Sequence, residues 1–143
     1  MEQGAQINLT QEADFADEIE AKLLCELRNK STQSENAAFS LALSDASGAT
    51  LGGLTASTAY GWLLIKVLFV EPPARGQGYG RDLIDAALSR AKELGCHSAW
   101  LDTSDAAAHH FYLSQGFVTF GALANELNQA PMGHQRWFMK RVI

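Results

Sequence analysis

Hydrophobic positions along the chain follow two periods, and the shifts between them divide it. Ala13, Phe15, Ile19, Leu23, Leu24 and Leu27 recur at helical spacing, so a helix is predicted over 11–29, with Thr10 able to cap it. Ahead of it, Gln6-Ile7-Asn8-Leu9 alternates polar and apolar, which predicts a short strand. Residues 30–36 are polar and read as a loop. Residues 38–44 then alternate with a period of two, Asp45-Ala46-Ser47-Gly48 supplies turn chemistry, and 51–59 returns as the second strand of a hairpin. Tyr60-Gly61 breaks that strand. Residues 62–70 form a third, whose near-continuous apolar character predicts burial on both faces.

Beyond Val70, helix and strand patterns take turns. Leu83, Ile84, Ala87, Leu88, Ala91 and Leu94 make one apolar helical face, with Gly95 placed to end the helix and Arg90 and Lys92 in its last turns. Ala99-Trp100-Leu101 is a short strand. Thr103 or Ser104 can cap a helix running to about Gln115, which Gly116 ends. Residues 117–120 form a strand, 123–134 is irregular with Pro131 and Gly133, and 136–143 forms a last strand. An antiparallel meander followed by βαβ-like units predicts a mixed-sheet α/β or α+β domain. With 143 residues and no linker or repeat, one domain over 1–143 is expected.

Composition narrows the class. The apolar share of 47% supports a core, and the charged share of 19% is low for a disordered chain. Eleven Lys plus Arg against sixteen Asp plus Glu leave a net charge of −5, so a nucleic-acid partner is not expected. No apolar run is long enough to span a bilayer, and the N-terminus lacks the features of a signal peptide. The two cysteines, Cys25 and Cys96, are too few for a disulfide scaffold and are expected to be reduced in a cytoplasmic protein. Neither they nor His97, His109, His110 and His134 show zinc-ligand spacing, so no metal is expected.

The densest chemistry lies in Val70-Glu71-Pro72-Pro73-Ala74-Arg75-Gly76-Gln77-Gly78-Tyr79-Gly80-Arg81. This run leaves an apolar strand and opens an amphipathic helix. Alternating glycines let backbone N–H groups turn towards a ligand, the helix N-terminus adds a positive dipole, and Arg75 and Arg81 add charge. Such a turn cradles phosphate. It fits neither the P-loop, since no Lys follows, nor the dinucleotide fingerprint, whose third Gly would fall on Arg81. A plain connecting turn is the bland alternative, although glycines are unfavourable helix starters.

Arg75-Gly76-Gln77-Gly78-Tyr79-Gly80 resembles the Gln/Arg-x-x-Gly-x-Gly/Ala signature of the GNAT (Gcn5-related) N-acetyltransferases. Further on, residues 105–117 read Asp-Ala-Ala-Ala-His-His-Phe-Tyr-Leu-Ser-Gln-Gly-Phe and match the family's Asn-x-x-Ala-x-x-Leu/Phe-Tyr-x-x-x-Gly-Phe except at the first position. The two motifs stand in the family's order, and the likeness covers about 38–121. It implies a mixed, mostly antiparallel central sheet flanked by helices. It also implies acetyl-CoA as co-substrate, with its pyrophosphate held by the backbone of Arg75, Gly76, Gln77, Gly78, Tyr79, Gly80 and Arg81.

The resemblance further implies direct attack of an amine on the acetyl thioester. The oxyanion donor is then a backbone N–H among Leu68, Phe69 and Val70, and Tyr112 is the acid that protonates the leaving thiolate. Asp105 stands where the family's Asn contacts the pantetheine arm, and a carboxylate cannot donate the amide N–H. An alkyl ammonium must lose a proton before attack. Glu71 is the first candidate base, Asp102 the second, and His109 and His110 have suitable chemistry.

Other readings stay open. The chain could be a non-catalytic acyl-CoA sensor on the same fold, or a nucleotide-binding domain that uses the glycine turn differently. The acceptor is unassigned. The net charge favours a cationic one, such as a polyamine, an aminoglycoside or a Lys side chain. Tyr60 and Trp62 could line its pocket, and the 131–134 loop could close over it. A homodimer is the default oligomer, and the apolar strand segment Trp137-Phe138-Met139 could pair at a sheet edge.

Overall fold

The computed structural model describes residues 4–31 and 36–143. The chain falls into two compact units, residues 1–33 and 34–143, taken here each by itself.

The first unit holds one helix, α1 (Ala13–Lys30). Its exposed face carries Lys22–Glu18 and Lys30–Glu26 ion pairs one turn apart, and Arg28 and Lys30 sit in the last turn, where cations complement the helix dipole. Two expectations fail here. Residues 6–9 form no strand, because so short an alternating stretch has no neighbouring strand to bond. Thr10 is not the helix cap. The N-cap is Glu12, without a side-chain bond, and the Thr10 hydroxyl instead accepts from the Glu12 N–H at 3.3 Å. The predicted 30–36 loop lies largely outside the described residues.

The second unit is built on a six-stranded sheet. Its strands are β1 (Ala38–Ser44), β2 (Thr50–Ala59), β3 (Trp62–Val70), β4 (Ser98–Thr103), β5 (Val118–Ala124) and β6 (Gln135–Val142), in the spatial order β1-β2-β3-β4-β6-β5. All neighbouring pairs are antiparallel except β3 and β4. The helix α2 (Tyr79–Glu93) makes the crossover between those two, after a 3₁₀ turn at Pro72–Ala74, and α3 (Ala106–Ser114) joins β4 to β5. The β1–β2 turn is held by Asp45, whose Oδ1 accepts from the N–H groups of Ser47 and Ala49 and from the Ser47 hydroxyl.

Both helices of this unit cover one face of the sheet. Leu54, Leu63, Ile65, Ala99, Leu101 and Met139 meet Ile84, Ala87 and Ala91 of α2 and Tyr112 of α3 in a single cluster closed by Phe117. Ala87 and Ala91 are fully buried, and their small side chains bring α2 close to the strands. The expectation that β3 is buried on both faces is therefore met on one only. Val67 and Phe69, which point away from α2 and α3, are 53% and 46% exposed.

Two departures from regular pairing shape the site. Thr55 pairs with Val67 and Ala56 with Ile65, so Lys66 is an extra residue in β3. Such a bulge bends a strand and sharpens its twist. On the other side, β3 pairs with β4 only from Trp62–Ser98 to Leu64–Trp100. Beyond that the two strands part, while β4 stays bonded to β6 as far as Thr103–Trp137. The far half of β3 thus has an open backbone edge inside the sheet. The topology also corrects the expected edge pairing of residues 137–139. β6 is inserted between β4 and β5, so the edges are β1 and β5.

Candidate active site

The glycine turn follows the open half of β3. Gly76 and Gly78 take φ +79° and +86°, the left-handed region that a residue with a Cβ resists. Gly78 is the N-cap of α2 and has no side chain to give. The first backbone bond of that helix runs from the Asp82 N–H to the Gly78 carbonyl. Consequently the N–H groups of residues 76–81 bond to no described residue. Gly80 has a different task. A Cβ there would lie 3.2 Å from Phe111 Cζ, so its absence seats the start of α2 against α3.

The neighbouring arginines are held locally. Arg75 donates from Nε to the Val70 carbonyl at 2.8 Å, and its guanidinium lies 5.6 Å over the Phe69 ring. Arg81 reaches Asp82 at 3.6 Å. The Glu71 N–H donates to the Leu51 carbonyl on β2. Because strand N–H groups alternate between edges, those of Val70 and Leu68 point the other way, into the gap between β3 and β4.

Across that gap stands α3. Its N-cap is Asp105, whose Oδ2 accepts from the Ala108 N–H at 2.9 Å. The expected caps Thr103 and Ser104 do not serve; the Thr103 hydroxyl instead accepts from the Asp105 N–H at 3.3 Å. Seven residues along α3 is Tyr112, with its ring packed between Phe111 and Phe117. Burial pushes its hydroxyl above the usual pKa of a tyrosine, so the proton is held firmly at neutral pH. Among the described residues the hydroxyl has no hydrogen-bond partner and no fully buried polar side-chain atom is left without one, so the hydroxyl is open to the space beside it.

These groups enclose one cleft of about 620 Å³. Leu68, Phe69 and Val70 line it from β3; Arg75, Gly76, Gly78, Tyr79, Gly80 and Arg81 from the turn; and Asp105 and Tyr112 from α3. Of the residues singled out in the sequence, Gln77 and Glu71 do not line it. Sequence reasoning missed Ala74, Ala107, Ala108, Phe111 and Gln115. The run of alanines after Asp105 was the available signal, since small residues permit close approach.

The other candidates are engaged elsewhere. Asp102 accepts from Arg136 Nε at 2.8 Å, and that partnership raises the arginine's pKa. His109 lies parallel to the Trp137 ring at 4.4 Å and hydrogen-bonds the Thr119 hydroxyl at 2.8 Å, while His110 is exposed. Trp62 packs edge-on to His97, and Tyr60 is half exposed. His134, at the end of the 131–134 loop, reaches the Ser104 hydroxyl at 3.5 Å. Cys25 is exposed, and Cys96 is buried, which raises the pKa of its thiol. Among the described residues no three His, Cys, Asp or Glu side chains gather as a metal site, and no helix is long and apolar enough to cross a membrane.

The glycine turn thus opens a helix beside a parted pair of parallel strands on a mixed sheet. The model of the acetyltransferase (GNAT) family matches residues 7–117, and the chain belongs to that family. It is 40% identical over 72 residues to an acetyltransferase of Agrobacterium fabrum, covering 50% of this chain and 53% of the relative. It is 38% identical over 71 residues to the blasticidin-S acetyltransferase of Streptomyces morookaense, covering 49% and 52%. The matched stretches thus span about half the length of both relatives. The crystal structure of an acetyltransferase from Bacillus cereus superposes with a TM-score of 0.84 at 25% identity, covering 97% of this chain and 98% of that one.

Proposed function

We propose that the chain is an acetyl-CoA-dependent N-acetyltransferase that acts on a primary amine of a small molecule or peptide. The reading rests on one observation. Gly76 and residues 78–81, whose N–H groups are unbonded, line the same cleft as Tyr112. A diphosphate fits such a cradle, where helix dipole, backbone donors and Arg75 and Arg81 act together. Bound there, acetyl-CoA would supply an activated acetyl group as its thioester.

The chain's own groups meet two needs of the transfer. The N–H groups of Leu68 and Val70, fixed by the sheet on one side and free on the other, are placed to hold negative charge developing on a carbonyl oxygen. Tyr112, with its proton held by burial, gives that proton to a leaving thiolate. The third need is removal of the acceptor's ammonium proton. Glu71 follows Val70 directly but stays outside the cleft lining, so it serves as base only through an intervening water. The likeness to a blasticidin-S acetyltransferase over half of the chain is in keeping with a small-molecule acceptor.

The test is a thermal shift with acetyl-CoA, CoA, ATP and NAD in parallel, followed by thiol release with an amine panel. A ligand at 100 times its dissociation constant adds about 2.7 kcal/mol, a rise of several degrees. Stabilisation by the two CoA species alone, with thiol release on adding an amine, is expected. Stabilisation without release by any amine would leave a sensor in place of an enzyme, and no shift with either CoA species would end the proposal.

A further inference from the structure

A second cavity lies at the opposite end of β3 from the glycine turn. It measures about 420 Å³, within the span of about 300–1,000 Å³ usual for small-molecule sites. It opens where Trp62 and Ser98 begin β3 and β4, roughly 20 Å along β3 from Leu68. Uneven pairing makes it. β5 meets β6 first at Val118–Lys140, whereas β4 stays with β6 as far as Ser98–Val142, so Arg141 and Val142 overhang the start of β5. By register, Trp62, Ser98, Val118, Lys140 and Val142 share one sheet face, turned away from Met139 and the core.

Two walls of this cavity are fixed in advance. The His97 ring is seated against Gly61, where a Cβ would lie 2.7 Å from its Cδ2. The same ring hydrogen-bonds the Ser98 hydroxyl at 2.9 Å and meets the Trp62 ring edge-on. On the other side Arg141 runs past Gly116 and donates from Nη1 to the Gln115 carbonyl at 2.7 Å. Among the described residues that bond is its only one, and a guanidinium has further N–H groups to give. The charge is one-sided. Neither Arg141 nor Lys140 has an acidic partner among the described residues, and no acidic residue lines the cavity, although the chain carries a net charge of −5. Lys140 Nζ lies instead 5.6 Å over the Phe120 ring.

We propose that this cavity binds a small organic anion, a carboxylate or phosphate ester carried on a flat apolar body. Lys140 and Arg141 take the charge, and Trp62, Val118 and Val142 take the body. Holding Trp62 and Arg141 in place beforehand lowers the cost of ordering them on binding. The site shares no lining residue with the cleft and does not depend on the acetyl-CoA reading.

The probes are naphthoate and naphthyl phosphate, with uncharged naphthamide as the control, each titrated into isotope-labelled protein and followed by NMR. The Trp62 indole N–H and the backbone N–H groups of Ser98 and Val142 should shift and saturate with one or both anions by about 10 mM, and the tighter of the two identifies the head group. Naphthamide should bind at least about tenfold more weakly, the scale of a hydrogen bond to a charged group. Lys140→Gln, a change at an exposed position, should weaken the better anion about tenfold. Absence of a saturable shift at these positions, equal binding of naphthamide, or undiminished affinity in Lys140→Gln would each overturn the proposal. So would shifts confined to Gly76, Gly78 and Gly80, which would put the anion in the cleft instead. Titration of CoA into the same protein reads the cleft separately, so the failure of one site is distinguishable from the failure of the other.

Discussion

Two helices begin at the same cleft, and they begin in opposite ways. α2 starts at Gly78 with no side-chain cap and with the N–H groups of residues 76–81 unbonded. α3 starts at Asp105, whose carboxylate closes its own first turn. A helix N-terminus ordinarily finds a partner for its free N–H groups. Leaving one open sacrifices helix stability and keeps the donors for a ligand; closing the other frees that helix to present a side chain. α2 therefore offers backbone to the cleft, and α3 offers Tyr112.

That division predicts that changes on the two helices separate by type. The largest effect belongs to Tyr112→Phe, which removes a proton donor and no binding surface. Its kcat should fall about 10- to 1000-fold, with the CoA dissociation constant unchanged by titration. Equal turnover would take the acid role from Tyr112. Because burial raises the tyrosine's pKa, its stabilising protonated form is fully present below about pH 10 and is lost as pH climbs through the higher folded value. The phenylalanine variant should lose that alkaline decline in melting temperature.

Gly78→Val acts on the other helix and should do the reverse. A branched side chain at φ +86° is strained by roughly 2 kcal/mol, which displaces the cradle and weakens CoA binding about 30-fold. kcat at saturating CoA should change far less. A variant with lowered kcat and unaltered affinity would erase the division.

Asp105→Ala opens the closed terminus. Loss of the cap should lower stability by about 1 kcal/mol, a fall of about 3 °C in melting temperature, which Asp105→Asn should avoid. Indistinguishable melting of the alanine variant would mean that α3 is held by packing alone.

The smallest effect lies outside the cleft, at a turn that is also closed by a carboxylate. The Ser47 hydroxyl and the backbone N–H of Ala49 hold Asp45 below its ordinary pKa. Its contribution is present above about pH 4 and lost as pH falls through the lower folded value. Asp45→Asn should flatten the acid end of the melting curve slightly, and an unchanged pH profile would show that the turn does not sense this charge.

Comparing the two helix starts also shows which features the sequence carried. The alternation of 38–44 and 51–59, the apolar face from Leu83 to Ala91 and the glycine turn are local patterns, and the elements stand where those patterns put them. The cap of α3 was misplaced by one or two residues, since Thr103, Ser104 and Asp105 all have capping side chains and only the backbone path selects one. Gly80, read in the sequence as part of a phosphate turn, also makes room for Phe111, a partner 31 residues away that no local pattern reveals. The insertion of β6 between β4 and β5 depends on which strand edges are free in space, and nothing in Trp137-Phe138-Met139 encodes it. The half-covered β3 escaped for a related reason. Continuous apolarity signals that a strand is shielded, not which elements shield it.

The insertion of β6 also bears on synthesis. β5 leaves the ribosome before β6, yet it bonds to the sheet only through β6. A nascent chain that has emerged as far as Ala124 therefore exposes the bare edge of β4, with β5 still unanchored and Met139 missing from the core. Such an edge is an invitation to pair with the wrong strand, and at translation speeds of about 5–20 residues per second it stays open for a second or so. A tethered chain held with its emerged part ending between Ala124 and Gln135 should therefore aggregate more than one held anywhere in the β1–β3 meander.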